Sequence, residues 1–487
     1  MTVVFPSTDP LAWRPVRRSD VTLAEQIADH LARRIREQGL RAGTRLPSIR
    51  RMAQQAGVSR YTVVDAYERL VAKGLAESRR GAGFYVRAWR DPVAPPVAPA
   101  TLAPPARVDI AWLLRSMFRD GVASDIPGGA GLMPPAWLDE DLVNGAVRAV
   151  GRSARSGLLA YGVPQGYLPL RQQIAATLQA AGVPAHPERN LLTTAGVTHA
   201  LDLIVRQLVR PGDTVLVEDP AWFVIFGRLA AYGANVMGVP RLPEGPDIAA
   251  LARLAELHRP KLFIINSAVH NPTGHTLSAG AAYDVLRLAE RYDFHIVEDD
   301  TYSELHPGGP IRLAALDRLE RVILVGGYSK MLAASLRVGY IAAHPDLAQK
   351  LTDRKMLSGL TSPELGERVV HRVLAGGQYR RHVERVRARV DDARQRCLKS
   401  LARLGIRVDP EPHAGMFIWA DCGLDTEVLA RVAADRGMLL APGTLFSPAQ
   451  APSTRMRFSV AMAENRNAWT LLERLLQDGA AATAAAA

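Results

Sequence analysis

Residues 322–342 read VILVGGYSKMLAASLRVGYIA. An apolar run, Val322-Ile323-Leu324-Val325, ends at Gly326-Gly327. Tyr328-Ser329-Lys330 follows, and seven residues later Arg337 opens a second apolar run. An open α/β sheet presents its chemistry in this manner, with reactive side chains just past the strand ends. The lysine stands out by rarity. The chain has only Lys73, Lys261, Lys330, Lys350, Lys355 and Lys399 against 54 arginines. A sequence that prefers arginine keeps a lysine where an amine is needed rather than a mere cation.

Working outward from Lys330, polar groups recur at the ends of apolar segments. Asp299 and Tyr302 follow His295-Ile296-Val297, and Asn271 follows Leu262-Phe263-Ile264-Ile265. Asp299 lies 28 residues after Asn271 and 31 before Lys330. Each interval suits one strand-helix-strand unit. Three parallel strands would then bring these groups to one crevice. Further upstream, Thr194-Ala195-Gly196-Val197-Thr198 follows Leu191-Leu192 and is expected to open a helix near His199, an arrangement that suits an anion. Trp222 follows the strand-like Thr214-Val215-Leu216-Val217 through Glu218-Asp219-Pro220-Ala221. Taken singly, Asp299 reads as a solvated strand end, Trp222 as a core aromatic, and Arg337 and Arg457 as surface charges. Their order and spacing together argue for a site.

That ordered set resembles the fold-type-I aminotransferases over roughly residues 108–476. The carrying motifs are Asn-Pro-Thr-Gly at 271–274, Asp-x-x-Tyr at 299–302, Ser-Lys at 329–330 with Arg337, and Met-Arg-Phe-Ser at 456–459. The resemblance implies pyridoxal 5′-phosphate as cofactor. By it Lys330 would be the catalytic residue and hold the aldehyde as a Schiff base, and Asp299 would face the ring nitrogen. Asn271 and Tyr302 would donate to the ring oxygen, and Trp222 would stack on the ring face. Gly196, Val197, Ser329 and Arg337 would hold the phosphate, with Tyr161 reaching it from a neighbouring subunit. Arg457 would bind the carboxylate of an amino-acid substrate or effector. One position departs from the family pattern: Gly327 stands where a serine or threonine usually donates to the phosphate. On that pattern Gly327→Ser is expected to tighten the cofactor by roughly 1 kcal/mol.

The net charge of +12 is concentrated at one end. Residues 1–90 hold 17 Arg+Lys and 8 Asp+Glu, or +9, which points to nucleic acid. Leu23, Ile27, Leu31 and Ile35 recur at helical spacing. Ser48 begins a second short helix, 56–58 turns, and Ser59 caps a third with Val63, Tyr67 and Leu70 inward. Residues 75–86 read as two strands joined at Arg79-Arg80-Gly81-Ala82-Gly83. This is an α+β winged helix-turn-helix. Residues 20–88 closely resemble the GntR family of bacterial DNA-binding domains. By that resemblance Arg50, Ser59, Arg60 and Thr62 would meet phosphates and base edges, and Arg80, Gly81 and Gly83 would form the wing tip.

Between the two stretches, residues 91–107 are rich in proline and alanine and form a semi-rigid linker. A helix is expected over 109–116 and a loop over 126–131. A smaller C-terminal subdomain spans mainly 347–476, and the tail GAAATAAAA is expected to fray. Cys397 and Cys422 make neither a disulfide framework nor a metal pattern, and no stretch is apolar enough to span a membrane. A cytoplasmic protein is expected. The layout resembles the MocR subfamily of GntR regulators: a winged helix joined to an α/β fold-type-I aminotransferase-like domain. That resemblance implies a domain-swapped homodimer, a double-stranded DNA operator, and an amino-acid or amine effector sensed by aldimine exchange. The alternative is a working aminotransferase with an accessory DNA-binding domain.

Overall fold

The structure, a computed structural model, describes residues 13–17, 21–37, 40, 42–79, 82–87, 126, 128–153 and 159–486. The chain divides into two units, Met1–Thr101 and Leu102–Ala487. The linker at 91–107, the helix expected over 109–116, Pro127, and the wing residues Arg80 and Gly81 lie outside the described residues.

In the first unit, helices α1 (Leu23–Glu37), α2 (Ile49–Ala56) and α3 (Arg60–Ala72) precede the hairpin of β1 (Ala76–Arg79) and β2 (Gly83–Val86). Local chemistry sets the boundaries. The Ser48 hydroxyl accepts from Arg51 N, and Gly57 closes α2 in the left-handed region at φ 65°. Ser59 caps α3 by accepting from Thr62 N. Ile27, Leu31, Leu46, Val63, Leu70 and Leu75 form the core around a fully buried Tyr67. The Tyr67 hydroxyl is satisfied by donating to Pro47 O at 2.8 Å, and its ring meets Phe84 edge-on.

The second unit is organised by an eight-stranded sheet. Its strands are β3 (Leu191–Thr194), β4 (Thr214–Asp219), β5 (Asn235–Leu242), β6 (Gly245–Pro246), β7 (Leu262–Ile265), β8 (His295–Asp299), β9 (Val322–Gly327) and β10 (Gly339–Ala342). They lie in the order β3-β10-β9-β8-β7-β4-β5-β6. β9, β8, β7, β4 and β5 run parallel, while β10 runs antiparallel between β3 and β9. Successive side chains alternate between the sheet faces: Ile323 and Val325 join one apolar cluster, Val322 and Leu324 the other. Because helices cover both faces, the strands read as unbroken apolar runs. A second, three-stranded antiparallel sheet consists of β11 (Phe417–Asp421), β12 (Ala441–Pro442) and β13 (Arg455–Ser459), in the order β11-β13-β12.

One expectation needs correction. The helix after β3 is Val197–Leu208, two residues earlier than expected, because Gly196 at φ 83° breaks the strand direction and serves as its cap. The final helix runs Arg466–Ala486. Among the described residues no helix is long and apolar enough to cross a membrane.

Candidate functional site

β7, β8 and β9 end side by side, and the groups that follow them line one cavity of about 1050 Å³. Lys330 follows β9. Its Nζ donates to the carbonyl of Gly131 at 2.6 Å. Burial lowers its pKa to about 8, with Arg457 and Arg337 acting in the same direction and Asp299 opposing. A lysine so placed gives up its proton far more readily than a free one. Asp299 ends β8, and burial raises its carboxyl to about 6. The hydroxyl and the N–H of Thr301 both donate to its Oδ1 and restrain that rise.

Asn271, Tyr302 and Arg457 form the next layer. Asn271 Oδ1 accepts from Arg457 Nη1 at 3.0 Å, and Asn271 Nδ2 lies 3.4 Å from the Tyr302 hydroxyl. Arg457 Nη2 donates to Gly129 O at 2.6 Å. Its guanidinium sits 4.2 Å from the Phe417 ring centroid and 4.9 Å from that of Phe446, 2 % exposed. Burial lowers its pKa to about 10. The two acceptors are an amide and a backbone carbonyl rather than a carboxylate, and Nε has no hydrogen-bond partner among the described residues. An uncompensated buried charge costs several kcal/mol. Such a cation is ready to receive an anion.

At the other end of the cavity, Arg337 Nη1 donates to Ser329 Oγ at 3.1 Å and Nη2 to Ala195 O at 3.2 Å. Gly196 lies directly behind: a Cβ there would collide with Arg337 Nη2, so the guanidinium occupies space that only glycine leaves. Val197 opens the helix whose N-terminus faces the cavity, a favourable end for an anion. Trp222, which follows β4, completes the lining, and Ala221 N donates to Phe446 O at 2.9 Å. Tyr161 is 82 % exposed and is not among the lining residues.

Gly327 must be read differently from its family pattern. A Cβ there would lie 3.1 Å from the carbonyl oxygen of Val338 and 3.3 Å from Gly339 Cα. The glycine permits the close pairing of β9 with β10, so a serine meets backbone before it meets any ligand.

Several contributors escape a reading of the sequence. The carbonyls of Gly129 and Gly131 are backbone acceptors with no side-chain signature. Thr301 differs from any other threonine only through its contact with Asp299. Asn266 donates from Nδ2 to Asp299 O at 2.7 Å and accepts from Asn271 N at 2.8 Å. A glutamate at the end of an apolar strand, Glu218, was the available signal for a buried ion pair with Arg241.

On the winged helix, Arg50 and Arg60 are exposed, as is Tyr61. Ser59 caps α3 by accepting from Thr62 N, and the two hydroxyls lie 2.8 Å apart. Gly83 adopts φ 103°, with the Arg45 guanidinium alongside it. Arg45 bridges Tyr85 and so belongs to the wing, although it lies far from it in sequence.

Residues 126–475 match the family model for aminotransferase class I and II, and residues 23–86 that for bacterial regulatory proteins of the gntR family. The chain is 29% identical to the probable rhizopine catabolism regulatory protein MocR of Rhizobium meliloti, over 88% of this chain and 87% of that protein. It is 32% identical to 2-aminoadipate transaminase of Thermus thermophilus, over 72% of this chain and 88% of that one. Among solved structures, α-aminoadipate aminotransferase LysN of Thermus thermophilus, complexed with N-(5′-phosphopyridoxyl)-L-leucine, aligns with a TM-score of 0.69 and 28% identity. That alignment covers 76% of this chain and 95% of LysN. The fold implies dependence on pyridoxal phosphate. The chain belongs to the aminotransferase class I and II family, and with its GntR-type winged helix it has the layout of the MocR-type GntR regulators.

Proposed function

We propose that the chain is a DNA-binding transcriptional regulator whose large unit holds pyridoxal 5′-phosphate and responds to a small molecule bearing an amino group. One observation carries the reading: a single chain joins an arginine-faced winged helix to a cavity where a half-buried amine, a half-buried carboxylate and a buried guanidinium without a carboxylate partner converge. The donor set fits the cofactor, since Gly196 leaves room for a guanidinium at the anion end and Lys330 offers an amine of lowered basicity. When bound, pyridoxal phosphate supplies an aldehyde that captures amines and a ring that accepts electron density.

The roles of the chain's own groups follow. Ser329, Arg337 and the N–H groups at Val197 would hold the phosphate, with the fork of Arg337 suited to it. Asp299 would face the ring nitrogen, Asn271 and Tyr302 would orient the ring oxygen, and Trp222 would cover one ring face. Lys330 Nζ can take up the proton that an incoming ammonium gives up. Arg457 would take the ligand's carboxylate, if it has one. Tyr161, exposed on this chain, would serve the site of a second copy in a homodimer. On the DNA side, Arg50, Ser59, Arg60, Thr62 and Gly83 would contact the duplex, with Arg80 and Gly81 at the wing tip and Arg45 beside it.

Regulation requires that the ligand bind two conformations unequally, because tight binding alone shifts nothing. The test uses duplex DNA selected by the full chain from a random pool. Its affinity is measured with and without each of a panel of amino acids and amines. At least one should shift the parent's affinity by roughly fivefold or more. Lys330→Ala should abolish that shift and keep ligand-free affinity within about twofold. An unaltered response in Lys330→Ala refutes the reading. A second reading, a working transaminase, is favoured by the 32% identity to 2-aminoadipate transaminase across the large unit. Turnover of an amino acid with a 2-oxo acid at ~1 s⁻¹ or faster would establish it.

A further inference from the structure

At the rim of the same cavity, which Glu218 and Asn266 also line, stands a second polar cluster that the roles proposed above do not use. Glu218, at the end of β4, is ion-paired with Arg241, and its Oε2 lies 3.4 Å from His270 Nε2. The side chains of all three are at most 1 % exposed. Burial alone would push the Glu218 carboxyl up, but Arg241 and His270 outweigh it and hold it at about 2, so it stays an anion. As a stabilising device such a pair is poor, because the desolvation of two ions offsets most of their attraction.

What sets this pair apart is its third partner. Glu218 Oε2 also accepts from Asn266 N at 2.8 Å. Asn266 Nδ2 donates to the carbonyl of Asp299 at 2.7 Å, and Asn266 Oδ1 accepts from Asn271 N at 2.8 Å. One carboxamide therefore ties the end of β8 to the turn after β7, while its own N–H is anchored on the end of β4. Asn271 continues the line to Arg457 at 3.0 Å. The hydrogen bonds run unbroken from Glu218 to the guanidinium in the cavity.

We propose that Glu218, held between Arg241 and His270, is a positioning residue that acts through Asn266 to fix where Asp299 and Asn271 stand at the cavity. Its charge keeps the carboxylate in place; its oxygen orients Asn266.

Two double variants separate positioning from stability. Both remove the ion pair. Glu218→Gln with Arg241→Met retains an oxygen that can accept from Asn266, whereas Glu218→Leu with Arg241→Met does not. In the ligand-free full chain, amide hydrogen exchange at Asn266 and Asn271 should stay near the parent's in the glutamine variant. In the leucine variant it should rise about tenfold, the equivalent of one lost hydrogen bond, with β3 unchanged in both. Affinity for pyridoxal 5′-phosphate should divide the same way, kept within about twofold in the first and weakened about tenfold in the second. Equal exchange at Asn271 in the two variants overturns the proposal, because a merely stabilising ion pair is lost from both alike. If the leucine variant does not fold, Asn266→Ala replaces it with the ion pair intact. It must then raise exchange at Asn271 and weaken the cofactor by a similar factor, and parent-like values overturn the proposal. Only the affinity readout rests on the function proposed above: a parent that takes up no pyridoxal phosphate refutes that function, while exchange still decides the role of Glu218.

Discussion

In the winged helix, Arg69 pairs with Asp65 and Lys73 with Asp29, and all four side chains are two-fifths to one-half exposed. In the large unit, the Arg241 and Glu218 side chains are 0 % and 1 % exposed, and Arg457 is buried among aromatic rings. The exposed pairs contribute little, about 0–1 kcal/mol each, and yield readily to a competing anion. That suits a surface whose arginines must exchange water and counterions for phosphates. The buried groups cannot exchange partners cheaply, so they hold fixed geometry, and Glu218 and Arg457 hold shifted proton affinities. One chain thus uses charge as a loose attractant at one end and as a rigid scaffold at the other.

The contrast can be sharpened or broken by substitution. Arg457→Met removes a buried charge without opening a large void, so the fold should lose little. Carboxylate-bearing ligands should nevertheless weaken by roughly 2–4 kcal/mol relative to the matching amines, read by titration of each pair. A loss shared equally by both would mean that Arg457 supports the cavity rather than the carboxylate.

Asp299→Asn tests the cavity's carboxylate through pH. Its folded pKa, about 6, lies above the unfolded value of 3.8, so the folded state binds the extra proton between those values. Stability contributed by this group therefore falls as pH rises through that window. In the ligand-free protein the asparagine variant should be up to ~3 kcal/mol more stable than the parent at pH 8, and the gap should close towards pH 4. A gap that does not depend on pH in denaturant melts would place the effect elsewhere.

On the loose side, Arg60→Ala should cost ~1–3 kcal/mol and relax sequence preference if Arg60 reads a base edge. An equal loss on all duplexes, with a shallower salt dependence, would make it a phosphate contact. The smallest effect belongs to Gly327→Ser. With the Val338 carbonyl 3.1 Å from the added Cβ, the strand pair must yield, and cofactor affinity should stay within about twofold of the parent. Tightening by tenfold would show that the hydroxyl reaches the phosphate despite the crowding.

The parts legible in the sequence are those in which residue type and position coincide. Lys330, Asp299 and Asn271 follow apolar strands, and parallel strands end together, so their convergence was readable. Ser48, Ser59 and Gly57 announce helix ends by their own chemistry. What escaped reading depends on three-dimensional neighbours. Glu218 and Arg241 pair between adjacent strands, the glycine carbonyls act through backbone alone, and Phe417 and Phe446 differ from other core aromatics only by the guanidinium between them. The antiparallel β10 was hidden too, because an apolar strand buried on both faces reads the same in either direction.

That strand also governs when the large unit can exist during synthesis. β3 takes its partner from β10, about 145 residues later in the chain, and it is β10 that joins β3 to the parallel strands. Until that segment leaves the ribosome, β3 is an unpaired edge and the anion end of the cavity has no wall. The winged helix, by contrast, is complete by Arg87 and relies on contacts between near neighbours. A growing chain would therefore expose a finished winged helix well before the large unit is complete.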